Sequence, residues 1–150
     1  MPVIEESVFI ARPQQEVFDY IAATKNIPVW DSSVAQAAQI GSDPMGMGVR
    51  SSGTSKIMGR SFEWTTEVTE FEAPRRVVNR SVEGKLSFTV TNSFEAVEGG
   101  TRFTYRIDAA SGLGGVFGRL ADPFVQRAQA RTVRANLESL AELLTEHPGA

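Results

Sequence analysis

The chain has 150 residues, no cysteine, a single histidine and a formal net charge of -3. Those figures exclude disulfides, thiolate nucleophiles and cysteine metal sites. A mildly acidic chain also lacks the clustered Lys and Arg that a phosphate backbone requires, so no nucleic-acid partner is expected. A chain of this length buries about two-thirds of its surface on folding, enough for one domain with a core and a modest cavity. Residues 1–150 therefore read as one domain. The opening MPVIEESVFI has no basic segment followed by an apolar run, and no apolar stretch approaches a membrane span. A cytoplasmic protein is the expectation, a monomer or weak homodimer.

In chain order, Val3 to Ala11 is rich in β-formers and ends at Arg12-Pro13. Pro13 suits the start of a helix, Glu16 complements its dipole, and Val17, Phe18 and Ile21 supply its apolar face. A helix over Pro13 to Thr24 follows. Ile27-Pro28-Val29-Trp30-Asp31 reads as a turn or a second short helix, with Asp31 free to cap local amides.

From Val34 the period falls to two, the spacing of strands. Val34 to Ile40 is one strand. Val49 to Met58, small and polar, reads as an edge strand. In Phe62 to Phe71, Phe62, Trp64, Thr66 and Val68 share one face. Val77 to Val82 follows the turn at Ala73-Pro74-Arg75. Leu86, Phe88, Val90, Asn92, Phe94 and Ala96 then line one face of the next strand. Gly99-Gly100 makes a hairpin, and Phe103, Tyr105, Ile107 and Ala109 point inward from the last strand. Short connections imply an antiparallel meander with one wet face and one dry one.

Gly112 to Glu146 is the one long helical pattern. Phe117, Leu120, Ala121, Phe124, Val125, Ala128, Val133, Leu137, Leu140 and Leu144 recur three or four residues apart over most of it. One helix cannot bury that stripe alone, so it must lie across the sheet. Asp122-Pro123 either kinks this helix or starts it. Segregated helices beside an antiparallel sheet define an α+β fold, and a single helix over a single sheet encloses a cavity for a small molecule.

The chemistry-bearing motifs are few. Gly112-Leu-Gly-Gly-Val-Phe-Gly118 fails the spacing of a dinucleotide loop and has no βαβ unit around it. His147 sits in the tail, so a Ser/His triad and the usual zinc sites are excluded, and neither a cofactor nor a metal is expected. Inward aromatics remain: Phe62, Trp64, Phe88, Phe94, Phe103 and Tyr105 form a slot for a flat or lipidic ligand, or else pack the core. Asn92 stands on the dry face, where an unpaired polar group costs about 1–3 kcal/mol. Arg80 shares a face with Val78 and Val82, and Gln129 and Asn136 lie beside the helical stripe. Arg127, Arg131 and Arg134, with Glu138 beyond, read as a solvated face with i,i+4 pairing.

The run Ile10-Ala-Arg-Pro13-x-x-x-Val17-Phe18-x-Tyr20-Ile21, then Asn26-Ile-Pro28-x-Trp30, resembles the opening of START/Bet v 1-like (SRPBCC) proteins. Within them it is similar to the bacterial polyketide cyclase/dehydrase and lipid-transport group, as is Gly112 to Leu144. The resemblance implies a helix-grip fold, a curved sheet of about seven strands holding the C-terminal helix around an apolar cavity. The superfamily holds both enzymes and carriers, and the fold alone selects neither.

Ligand-contact candidates are Trp30, Phe62, Trp64, Arg80, Phe88, Asn92, Phe103, Tyr105, Phe117, Leu120 and Phe124. The first function expected is binding of a small hydrophobic, lipid- or polyketide-like ligand, as carrier or sensor. The alternative is a polyketide cyclase or dehydratase, with Tyr105 or Asp31 assisting enolisation or water loss and Arg80 steadying an enolate. A protein-interaction module is a third, ranked last because the assignable outward residues are mostly Thr, Ser, Glu and Arg.

Overall fold

The computed structural model describes residues 3–57, 59–82, 87–109 and 123–146. Seven strands form one antiparallel sheet: β1 (Val3–Ile10), β2 (Val34–Ile40), β3 (Arg50–Ile57), β4 (Arg60–Glu72), β5 (Arg76–Ser81), β6 (Phe88–Val97) and β7 (Gly100–Ala109). Their spatial order is β1-β7-β6-β5-β4-β3-β2. The helices are α1 (Gln14–Ala22), α2 (Ile27–Trp30) and α3 (Pro123–Glu146), with a 3-10 turn at Thr24–Asn26. Among the described residues no helix is long and apolar enough to cross a membrane.

This order puts the two first strands at opposite edges, so residues 11–33 must travel from one edge of the sheet to the other. They do so as α1, the 3-10 turn and α2. Val17, Phe18, Tyr20 and Ile21 form the buried face of α1, and an Arg12–Glu16 ion pair at 2.8 Å ties its first turn. Pro28 falls in the first turn of α2, where its missing amide hydrogen is not needed. The expected edge strand is wrongly placed: β3 lies between β2 and β4. Its small residues serve packing instead, because the Trp64 indole from β4 lies over Gly53 and occupies the space of a side chain there.

The alternation read for β6 holds from Phe88 to Phe94 and that for β7 from Phe103 to Ala109, whereas Ala96 is exposed and Leu86 lies outside the described residues. Phe94 and Phe103 stack across the two strands with centroids 5.2 Å apart, and Phe18 of α1 meets Phe94 edge-on at 5.1 Å. Such pairs add about 0.5–1.5 kcal/mol beyond the area they bury. In β4 strict alternation fails. The register with β5 shifts between Val68 and Glu70, so Val68 and Phe71, three apart, both pack against the main core. A bulge inserts one unpaired residue and reverses the facing beyond it.

The helix-long apolar stripe is buried over only part of α3. Leu137, Leu140 and Leu144 are at most 1% exposed, whereas Phe124 is 79% exposed and Ala128 is also exposed. Burial follows the underlying surface, since α3 packs against β1 and α2. Arg134 does not pair along the helix with Glu138; its Nε lies 2.9 Å from Glu6 of β1. Gly112, Phe117, Leu120 and Asp122 fall outside the described residues.

Candidate ligand cavity

The buried residues do not make one continuous core. The larger cluster joins Ile10, α1, Trp30, Phe94, Phe103 and the three leucines of α3. A smaller one joins Phe88 and Ala109, with Phe62, Trp64, Val90 and Ile107 packed against it. Between them lies a cavity of about 130 Å³, walled by residues of both clusters and by the crossing segment of residues 21–34.

The strands set its floor. Phe88, Val90 and Asn92 of β6 and Tyr105 and Ile107 of β7 point into it, as their period of two requires. Val77 and Asn79 enter from β5, Phe62, Trp64 and Thr66 from β4, and Ser51 and Ser55 from β3. The crossing segment contributes Ile21, Thr24, Ile27, Trp30 and Asp31. Among the described residues α3 lends no side chain to the wall; its Asn136 reaches Asp31 from behind.

Several polar groups of the wall satisfy one another. Thr24 and Ser51 hydroxyls lie 2.8 Å apart, and Trp64 Nε1 donates to Ser55 Oγ at 2.8 Å. Asp31 follows the end of α2 in an Asx turn: its Oδ1 accepts from the Ser33 amide at 3.0 Å and the Ser33 hydroxyl at 2.7 Å. Asn136 Nδ2 adds a longer contact to the same oxygen, at 3.4 Å. Burial pushes the Asp31 carboxyl above the ordinary carboxylate range, and the Ser33 bonds only partly oppose this. Burial raises the Tyr105 phenol strongly, and the nearby Asp31 charge raises it further. Trp30 Nε1 and Asn92 Oδ1 are buried without a hydrogen-bond partner among the described residues.

Of the candidates from sequence, Trp30, Asp31, Phe62, Trp64, Phe88, Asn92 and Tyr105 come together around this cavity. Phe103 does not line it; it is fully buried in the larger cluster, against Phe94 and Trp30. Phe124 is exposed on α3 and is not part of the wall either. Arg80 is turned the other way: Val77 and Asn79 face the cavity, so Arg80 projects from the opposite side, exposed and across from Glu67. Phe117, Leu120 and His147 lie outside the described residues. The wall residues missed from sequence are mainly Thr24, Ser51, Ser55, Thr66 and Asn79. Their signal was weak, since small hydroxyls and an amide on alternating strands read equally as a solvated face. Among the described residues no group of three acidic, His or Cys side chains is placed to hold a metal ion.

A seven-stranded antiparallel sheet, crossed at one end by short helices and closed by a long C-terminal helix beside an apolar cavity, is the helix-grip architecture of START/Bet v 1-like proteins. A family model described as polyketide cyclase/dehydrase and lipid transport matches residues 1–145, and the chain belongs to that family. No curated protein matches it in sequence. Among solved structures it is similar to the protein TTHA0849 from Thermus thermophilus, at 21% identity and a TM-score of 0.79, covering 99% of this chain and 100% of that one. It is also similar to the Zhui aromatase/cyclase from a Streptomyces species, at 14% identity and a TM-score of 0.74, covering 99% and 98%. A START superfamily protein from Mycobacterium smegmatis aligns at 12% identity and a TM-score of 0.66, covering 92% and 98%. At these identities the likeness is one of fold.

Proposed function

We propose that this protein binds a small hydrophobic ligand in the cavity and acts as a carrier or sensor. The observation that carries this reading is the split core: two apolar clusters face each other across a space that neither fills. Covering about 200–400 Å² of ligand apolar surface there would contribute about 5–10 kcal/mol before ordering costs, enough for micromolar affinity. The test is native mass spectrometry of freshly purified protein, followed by organic extraction. A co-purifying hydrophobic compound, or saturable binding of the neutral probe N-phenyl-1-naphthylamine, is the expected result. Protein that is empty and also fails to bind the probe overturns the reading.

One observation favours a second reading, a cyclase or dehydratase in the same cavity. Asp31 and Tyr105 stand close enough for the charge of one to bear on the other. A carboxyl held toward its protonated form can protonate a departing hydroxyl, and a phenol held protonated can donate to a developing enolate oxygen. Arg80, on the far side of the sheet, takes no part. Turnover of a poly-ketone that is lost in both Asp31→Asn and Tyr105→Phe would move the assignment to this enzyme.

A further inference from the structure

We propose that the cavity selects uncharged ligands bearing a hydroxyl or carbonyl group and turns away carboxylates of the same size. The proposal rests on the ligand-binding reading above and specifies the chemistry of the occupant.

The first ground is charge. Among the described residues of the wall there is no Lys, Arg or His, and one carboxyl, that of Asp31. Several arginines of the neighbouring strands are engaged elsewhere: Arg106 with Glu5 and Asp108, Arg102 with Glu95, Arg76 with Glu70 and Arg50 with Glu67, while Arg80 projects from the opposite face of the sheet. An anion entering this space would leave its hydration behind and find no counter-charge, only a carboxyl that carries its own sign once ionised.

The second ground is the hydrogen-bonding inventory. The hydrogen bonds that the Asp31 carboxyl accepts from the described residues all fall on Oδ1, and Oδ2 accepts none of them. The Tyr105 hydroxyl likewise makes no hydrogen bond to them. Directly across from Tyr105 in the sheet register stands Asn92, whose Oδ1 is buried and unpaired. Trp30, edge-on to the Tyr105 ring at 6.1 Å, holds the unpaired donor. The wall therefore gathers donors and acceptors around Tyr105 beside an apolar space. A hydroxyl can answer both kinds, and a carbonyl can answer Tyr105 or Trp30. A plain hydrocarbon answers none, and sites built to bond a polar group discriminate strongly against its absence.

The test is displacement of N-phenyl-1-naphthylamine from the full-length protein at mildly alkaline pH, by the matched compounds 2-naphthamide, 2-naphthol, naphthalene and 2-naphthoate. The amide and the carboxylate have nearly the same shape, so their ratio isolates charge. The expected result is 2-naphthoate bound at least about tenfold more weakly than 2-naphthamide, with Asp31→Asn narrowing that ratio to about twofold. Tyr105→Phe should weaken 2-naphthol by about three- to tenfold and leave naphthalene bound no more weakly than before. Should Asp31→Asn not fold, the wild-type ratio and Tyr105→Phe decide. Equal or tighter binding of the carboxylate by the wild-type protein overturns the proposal while leaving the cavity as a binding site. Failure of the probe and every naphthalene to bind overturns the ligand-binding reading and this proposal with it.

Discussion

The indole of Trp64 lies over the backbone of Gly53, directly across the β3–β4 ladder, in the space that a β-carbon on Gly53 would fill. From there its Nε1 reaches Ser55, two residues along β3. The pair explains why β3 is composed of small residues although it is an interior strand, and it seats one wall of the cavity. Gly53→Ala should therefore destabilise the protein by about 1–3 kcal/mol, as overpacking does. It should also shift the tryptophan fluorescence as Trp64 is displaced. Chemical denaturation monitored by fluorescence reads both, and an unchanged midpoint would contradict this account.

Packing, rather than the ion pair to β1, fastens α3. Leu140 is fully buried, so Leu140→Ala should cost about 2–5 kcal/mol. Arg134→Ala removes only a solvent-facing pair with Glu6 and should cost at most about 1 kcal/mol. Urea denaturation of the two variants gives the comparison directly.

The raised Asp31 carboxyl makes stability fall as pH rises. In the native state this group keeps its proton at pH values where the unfolded chain, with an ordinary carboxyl near about 3.9, has already lost it. The cost of a buried carboxylate is thus absent at low pH, grows as pH rises from the unfolded toward the raised folded value, and is complete above it. Asp31→Asn keeps an oxygen for Ser33 and removes the charge. Its stability relative to wild type should be greatest at neutral pH and shrink as pH is lowered toward about 4. Denaturation midpoints across that range test it; a gap that widens on acidification would reverse the sign.

Of the two tyrosines of the chain, Tyr20 is buried and Tyr105 is half-buried, and burial raises both above the usual phenol range. Ultraviolet titration near pH 10 should show far less tyrosinate absorbance in the folded protein than in the same chain in urea, where phenols ionise at about 10. The missing absorbance should appear together with alkaline unfolding. A reversible ionisation of one tyrosine near pH 10 in folded protein would show that its side chain meets solvent.

Arg80 faces away from the cavity, so Arg80→Ala should leave binding of N-phenyl-1-naphthylamine within about twofold of wild type. Phe88→Ala, which opens the wall itself, should change it by about tenfold or more. Equal effects from both would place the bound probe elsewhere than in this cavity.

Much of this arrangement is legible in the chain because the period of a strand is local. Alternation in residues 88–109 is enough to put Phe88, Val90, Asn92 and Phe94 on one face, and Phe103, Tyr105 and Ile107 on the matching face of the next strand. Pro13, Glu16 and the apolar positions behind them likewise mark a helix from neighbouring residues alone. The same rule could not reveal which part of the inner face is filled and which is open. Phe94 and Phe103 are sealed because α1 and α3 pack over them, while Phe88 and Tyr105 meet empty space, and that division depends on residues as much as about 80 positions apart in sequence.

Facing was less legible in β4 and β5. The bulge after Val68 turned Phe71 inward, and the pairing of β5 sent Arg80 out. Asp31 read both as a turn residue and as a candidate to assist water loss; the Asx turn with Ser33 bears out the first, and its place beside Tyr105 arises from the crossing of the chain between the two sheet edges. Sequence by itself therefore determined the elements, their order, the family and most of the aromatic wall, because these follow from short-range periodicity and motif. Only the tertiary structure decided the position of the cavity, the coupling of Asp31 with Tyr105 and the absence of cations from the described wall, because burial and electrostatics depend on which distant residues become neighbours.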